Sequence, residues 1–422
     1  MHECPIKAAQ TEAADKGRLQ INVTSALGAT PISGAKVAIY YTGEPERELE
    51  EVTTNASGQT ETLELSAPPL EYIVEPSEQQ PYSEYTIEVT APGYEPVEVA
   101  GAEILPEVTA LQNIQMLPVQ EGQEYERFVI PAHTLFGDYP PKIAEAEIKP
   151  INETGEIVLS RVVVPEYVIV HDGVPTDSSA VNYWVRYKDY IKNVASSEIY
   201  ATWSDAAIRA NILAIMSFTL NRVYTEWYRN KGYDFTITSS TAFDHKWING
   251  RNIFENISRI VDEMFGNYLS RPNVKQPILT QYCDGQRITC PNWMSQWGSQ
   301  YLGEQGYSAI EILRNYYGNS IYINSAEEIS GVPYSWPGSD LTVGSRGQKV
   351  LQMQEQLNRI AQAYPAMPVI AQDGIFGPAT EEAVRTFQSI FGLPATGVVD
   401  YPTWYKISEI FVGVSRIAEL NP

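Results

Sequence analysis

From Gly17 to about Pro118, apolar and polar residues alternate in short runs broken by Gly, Pro, Asn and Ser. Leu19-Gln20-Ile21-Asn22-Val23, Lys36-Val37-Ala38-Ile39-Tyr40 and Tyr85-Thr86-Ile87-Glu88-Val89 place an apolar side chain at every second position, the spacing of strands with one buried face. Turn residues fall at Asn55 to Gly58 and at Pro92-Gly93, so the stretch predicts a small antiparallel β-sandwich. The period then changes. Asp189 to Tyr200 and Asp205 to Tyr228 carry apolar residues three and four apart, Ile208, Ile212, Ile215 and Leu220 among them, which predicts amphipathic helices. A third helix is expected over Ile253 to Tyr268, and a mixed, strand-containing segment over Gln276 to Trp297. Residues 119–165 are rich in Pro and Glu with weak periodicity, and predict a protease-accessible linker.

Composition sharpens this outline. A chain of 422 residues with 43% hydrophobic side chains holds several packed domains. Its 29 Lys plus Arg face 52 Asp plus Glu, a net charge of −23, and no basic cluster follows a phosphate backbone, so no nucleic-acid partner is expected. Residues 1–160 hold 27 acidic against 8 basic side chains, whereas the rest is close to neutral, which predicts two functionally different halves. No apolar run approaches the roughly 20 residues that span a bilayer, so no membrane partner is expected. Met1 to Lys16 lacks the pattern of a secretory leader and predicts a flexible tail on a protein made in a cytoplasm. Cys4, Cys283 and Cys290 are too few to build a disulfide scaffold, and nothing marks an oligomer interface, so a monomer is expected.

Three segments resemble known families. Pro31 to Gly34 with Val37, Thr53 to Gly58 and Ala91-Pro92-Gly93-Tyr94 resemble sandwich modules of the carboxypeptidase-regulatory or collagen-adhesin B type. Asp189-Tyr190-Ile191-Lys192-Asn193-Val194-Ala195-Ser196-Ser197-Glu198, Phe243-Asp244-His245-Lys246-Trp247, Met294-Ser295-Gln296-Trp297-Gly298 and Gly306-Tyr307-Ser308 resemble, in order, the SpoIID/LytB family. Leu341 to Gly347, Asp373-Gly374-Ile375-Phe376-Gly377-Pro378 and Thr403-Trp404 resemble a three-helix peptidoglycan-binding module. The whole arrangement resembles the clostridial spore cortex-lytic enzymes of the SleC type. That resemblance implies a multidomain α+β chain: a tail over 1–16, a sandwich pro-region over 17–118, a linker over 119–165, a helix-rich mixed α+β catalytic domain over 166–332 and the wall-binding module over 338–416. It further implies a zymogen of the spore cortex or coat–cortex boundary, activated by a subtilisin-like Csp protease, that acts on cortex glycan strands without a cofactor.

A glycosidase ordinarily needs two carboxyl groups, whereas a lytic transglycosylase manages with one. Glu198 stands at the family's catalytic position, late in a helix and beside the small residues Ala195, Ser196 and Ser197, which leave room for a sugar. Tyr190, Ser197, Thr280, Gln281, Ser295 and Gln296 are the expected substrate-binding residues, able to hydrogen-bond sugar hydroxyls or N-acetyl groups. A hydrolytic reaction would instead draw a second carboxylate from Asp205, Asp244 or Glu263. The family's Gly-His-Gly run is replaced by Cys290-Pro291-Asn292-Trp293, which also leaves open a noncatalytic wall-binding protein. Cys283 and Cys290 admit three readings: a hairpin disulfide, a zinc site with His245, or buried thiols. His133 and His171 have no ligand-spaced partner and are expected to be surface or packing residues.

Overall fold

The computed structural model describes residues 15–27, 29–119, 125–149, 159–332 and 334–415. The chain opens with β1 (Asp15–Ser25), β2 (Lys36–Tyr41), β3 (Glu48–Thr53), β4 (Leu63–Ala67), the single turn α1 (Glu71–Val74), β5 (Ser83–Thr90), β6 (Val97–Ile104) and β7 (Thr109–Met116). One sheet has the order β4-β1-β7 and the other β3-β2-β5-β6. Leu19, Ile21 and Val23 of the first and Val37, Ile39, Ile87 and Val89 of the second are fully buried, as their period of two requires. Each such side chain contributes about 1.5–3 kcal/mol by leaving water. The expected all-antiparallel pattern fails at one seam, where β1 and β7 run parallel from Arg18 opposite Thr109 to Ser25 opposite Met116. The chain returns to β1 only after crossing the other sheet, and a crossover connection of that kind leaves no mark on the apolar alternation.

Glu84 and Glu103 face each other across β5 and β6. Burial, and then the neighbouring Glu103 charge, pushes the Glu84 carboxyl up to about 7. The folded chain therefore holds this proton more tightly than the unfolded chain, and the stability it contributes is lost as pH rises from the ordinary 4.5 through about 7. Glu84→Gln is expected to raise the thermal midpoint at pH 8 and to leave it nearly unchanged at pH 4; equal shifts at both would contradict this account.

The linker reading of 119–165 needs correction over 125–149, and over 159–165, where Val163–Val164 pairs as a strand with Glu328–Ile329. β8 (Glu126–Val129) extends the second sheet by pairing parallel with β6, and the chain beyond it is strapped across the central domain. His133 is fully buried, its ring stacked 4.4 Å from Tyr200. Arg287 donates to the carbonyls of Thr134 and Leu135 at 3.0 and 2.6 Å. Glu145 receives a bidentate bond from the fully buried Arg222 and pairs with Lys149, while Glu147 receives one from Arg271 at 2.7 and 2.8 Å. Low periodicity here reflects an extended segment fixed by polar contacts. Residues 120–124 and 150–158 of that expected linker, and 1–14 of the expected tail, lie outside the described residues.

The middle of the chain contains β9 (Val163–Val164), β10 (Tyr167–His171), β11 (Asn182–Arg186), α2 (Tyr187–Glu198), α3 (Asp205–Tyr224), β12 (Ile237–Thr238), β13 (Ile253–Phe254), α4 (Glu255–Met264), β14 (Asn267–Ser270), β15 (Tyr282–Cys283), β16 (Met294–Ser295), α5 (Gln296–Glu304), α6 (Ala309–Tyr317), β17 (Tyr322–Ser325) and β18 (Glu328–Ile329). Ser204 caps α3 by accepting from the Ala207 N–H. This helix is apolar on nearly every face and buried along its length, so it is the hub of the domain rather than the amphipathic surface helix its spacing predicts. His171 is likewise a packing residue, bonded to Asn182 and stacked 4.4 Å from Phe235.

The N-terminal sheets and the central domain share structure. β13 pairs antiparallel with β7, completing the first sheet as β4-β1-β7-β13. Beside that seam Arg251 donates to both oxygens of Glu103 at 3.0 and 2.6 Å, with both side chains buried, and Asn252 exchanges two bonds with the Glu103 backbone. Gly250 has φ +76°, and a Cβ there would lie 2.5 Å from the Phe128 ring, so glycine is what lets β8 settle on this loop.

The C-terminal module is helical, with α7 (Gln348–Ala363), α8 (Pro378–Ile390) and α9 (Tyr401–Ser415) around Met353, Leu357, Phe376, Val384, Phe387 and Trp404. It docks on the central domain through Lys188, which bridges Asp262 and Glu409, and through Tyr401 and Tyr405 packed on Phe265. No described helix is long and apolar enough to cross a membrane.

Candidate active site

Glu198 is the last residue of α2 and has no exposed surface. The small residues before it let other segments approach closely: the Phe254 N–H reaches Ser196 Oγ at 3.4 Å and the Thr134 N–H reaches the Ser197 carbonyl at 3.3 Å. The carboxylate accepts from the Lys246 N–H at 2.6 Å through Oε1 and from Gln296 Nε2 at 3.3 Å through Oε2. Gln296 Nε2 also donates to the Glu198 carbonyl at 3.0 Å, so one amide fixes both the helix end and the side chain it carries.

The loop that supplies Lys246 is itself pinned. Asn193 accepts from the Ile248 N–H at 3.0 Å and donates to the Ile248 carbonyl at 2.7 Å. Asp244 accepts from Arg222 through Oδ1 and from Tyr228 and both the N–H and hydroxyl of Thr238 through Oδ2. His245 lies between them, Nδ1 paired with the Tyr190 hydroxyl at 3.0 Å and its ring 4.4 Å from Phe218. Burial, with the nearby Lys142 and Arg222 charges, drives His245 well below the usual imidazole range, so it is neutral. Tyr282 stacks on the other side of that ring at 5.8 Å. Burial, and after it the charge of Glu198, pushes the Tyr282 phenol well up, so it keeps its proton. Tyr139 and Lys142 of the strap complete the enclosure, the Lys142 ammonium standing 4.2 Å over the Tyr282 ring and donating to the Asp244 carbonyl at 2.9 Å.

The expected substrate residues divide. Gln296 belongs to the site, where its amide clamps Glu198. Tyr190 is buried against His245. Ser197 donates to the Asn193 carbonyl at 2.9 Å and Thr280 to the Ala214 carbonyl at 2.6 Å, each satisfying a hydroxyl in the interior. Ser295 caps α5 by accepting from the Gly298 N–H at 2.9 Å. Gln281 bonds the strap. Side-chain polarity alone does not distinguish a helix cap from a ligand. Cys283 and Cys290 form a disulfide with their Cα atoms 5.7 Å apart, which rules out both the zinc reading with His245 and the free thiols. Among the described residues no group of three possible ligands gathers a metal.

The alternative carboxylates are committed elsewhere. Asp205 pairs with Arg209 at 2.6 Å, and Glu263 with Arg209 and Arg259 at 2.6 and 2.8 Å. Sequence reasoning passed over Tyr139, Lys142 and Tyr282; the aromatic and apolar residues inside an otherwise polar linker were the available signal.

Gln296→Leu removes the amide that donates to Oε2 and is expected to lower kcat by about 10–100-fold, the worth of a hydrogen bond to a charged group, while KM stays nearly constant. A rise in KM at unchanged kcat would return Gln296 to the substrate-binding class.

Residues 346–407 match the family model for a peptidoglycan binding domain. The C-terminal module is thus similar to peptidoglycan binding domains over its three helices. The zinc D-Ala-D-Ala carboxypeptidase of Streptomyces albus G is 44% identical over 78 residues, 18% of this chain and 29% of that protein. The chain thus spans less than a third of the curated relative it matches. Among solved structures, the SleB N-terminal domain is 27% identical with a TM-score of 0.16, over 18% of this chain and 99% of that one. The minor pilin GBS52 of Streptococcus agalactiae is 14% identical with a TM-score of 0.18, over 27% and 49%.

Proposed function

We propose that the chain is a lytic transglycosylase of spore cortex peptidoglycan, made as a zymogen and activated when a Csp-type protease severs its N-terminal region. The observation that carries this reading is one carboxylic acid, Glu198, enclosed among aromatic rings and held by two donors, while Asp205, Asp244 and Glu263 are tied into ion pairs and the buried Asp284 is taken up by the N–H groups of Gln286, Arg287 and Ile288. A single acid suits a reaction that consumes no water. Glu198 gives its proton to the glycosidic oxygen between N-acetylmuramic acid and N-acetylglucosamine, and the bond from that oxygen to the muramic C1 breaks. The carboxylate, steadied by the Lys246 N–H and Gln296, then takes the proton of the C6 hydroxyl, whose oxygen closes on C1 as a 1,6-anhydro ring. The peptidoglycan-binding domain holds the substrate strand.

In the intact chain Glu198 is sealed, which fits a precursor and equally favours a second reading, a noncatalytic wall-binding spore protein. Mass spectrometry of cortex digested by the chain, before and after cleavage between 150 and 158, separates them. Anhydro-muropeptides after cleavage support the first reading. Reducing ends indicate a hydrolase, and no released fragments the binding protein.

A further inference from the structure

Arg287 lies midway along a hairpin that a covalent bond closes. Cys283 and Cys290 are joined with their Cα atoms 5.7 Å apart and a sequence separation of 7. Inside this ring the buried Asp284 carboxylate accepts from the N–H groups of Gln286 and Ile288 through Oδ1, each at 3.2 Å, and from that of Arg287 through Oδ2 at 3.0 Å. Gly285 has φ +80°, and a Cβ there would lie 1.9 Å from Ser295 Oγ, so the loop is seated closely on β16. From it Arg287 reaches the strap and donates to the carbonyls of Thr134 and Leu135. At that point the strap meets the helix end that carries Glu198, the Thr134 N–H reaching the Ser197 carbonyl at 3.3 Å. The two sulfurs differ in access. Cys283 is fully buried, whereas Cys290 is half-buried between the exposed Thr289 and Pro291. An incoming thiolate reaches an accessible disulfide sulfur far faster than an enclosed one.

We infer that Cys283–Cys290 is a thiol-exchange site that sets how firmly the strap is held, with small thiols as its reductant. A thiolate attacks Sγ of Cys290 and the S–S bond breaks. Cys283 leaves with the electron pair and takes up the proton that the attacking thiol gave to solvent; its Sγ lies 3.3 Å from the Ile288 carbonyl, an acceptor for the new S–H. A second thiolate displaces the first from Cys290 as a small disulfide, and Cys290 is protonated in turn. Two small thiols are thereby oxidised and one protein disulfide becomes two thiols. Opening the ring returns conformational freedom to residues 284–289, and ordering Arg287 on the strap then costs more entropy. Thiol-poor surroundings close the hold on the strap and thiol-rich ones loosen it. The inference concerns that hold and does not depend on the chemistry proposed for Glu198.

The test uses the full, uncut chain with its disulfide formed, with and without millimolar dithiothreitol. Titratable thiols in the folded protein are expected to rise by the two of this bond on reduction. Hydrogen exchange of the Thr134, Phe136 and Gly137 N–H groups is expected to speed about tenfold, the worth of a weakened hydrogen bond from a charged donor, while Leu19 to Val23 of β1 keep their protection. Cys290→Ser, which cannot close the ring, is expected to show the fast strap rate without reductant. Arg287→Gln is expected to show it with the disulfide intact, reduction then adding nothing. A bond that stays closed in the folded chain, strap exchange that reduction leaves unchanged, or an equal acceleration in β1 overturns the inference. So does a further gain on reducing Arg287→Gln, since the disulfide would then act on the strap by another route. The release or absence of anhydro products tests Glu198 and leaves each of these outcomes as it stands.

Discussion

Glu198→Gln is expected to lower anhydro-muropeptide release by roughly a thousandfold or more in the chain cleaved between 150 and 158, a general acid that later serves as base being the largest single contributor available. The substitution keeps the shape of the side chain and an acceptor for the Lys246 N–H, now 2.6 Å from Oε1, so the α2 end and its loop stay in place. What disappears is the transferable proton. Retention of peptidoglycan by residues 346–407 is expected to be unchanged, since that module has its own core around Leu357, Phe387 and Trp404. Product masses from wild type and variant, compared at equal bound protein, check this. Turnover within a factor of ten of wild type would remove Glu198 from the chemistry and turn attention to Tyr282, a proton carrier beside it.

Much of the architecture was legible because local periodicity has local causes. Leu19, Ile21 and Val23 alternate since one face of β1 is buried, and the glycines around Asp373 to Gly377 turn the chain between α7 and α8. Glu198 was singled out from its neighbours in a motif. The strap was not, because Tyr139 and Lys142 follow no period of two or 3.6 and touch residues such as Asp244 and Tyr282 more than 100 positions away. The surroundings of Ser197 and Thr280 were hidden for a related reason: both have the chemistry of sugar ligands, but backbone carbonyls four and 66 positions distant accept from their hydroxyls. The shared sheet was equally invisible, since β13 is two residues long and its partner β7 lies on the far side of the expected linker.

Arg251→Met is expected to be the most destabilising single change at that shared seam, at about 3–5 kcal/mol, the usual cost of leaving one member of a buried ion pair alone. Glu103 is 1% exposed. Burial already pushes its carboxyl up and Arg251 is the group that opposes this. Without the guanidinium it faces Glu84 across β5 and β6, another carboxylate in a partly apolar setting. The variant should therefore take up a proton on Glu103, and its deficit should be larger at pH 8 than at pH 5, because protonation removes the unpaired charge. Glu103→Leu combined with Arg251→Met replaces both partners and is expected to recover most of the loss, as paired removal at buried sites commonly does. The thermal midpoints of the single and double variants at both pH values measure this. If the single variant unfolds like wild type, the ion pair does not hold the N-terminal sheets on the loop that carries Lys246, and release of Glu198 would have to be sought in the strap alone.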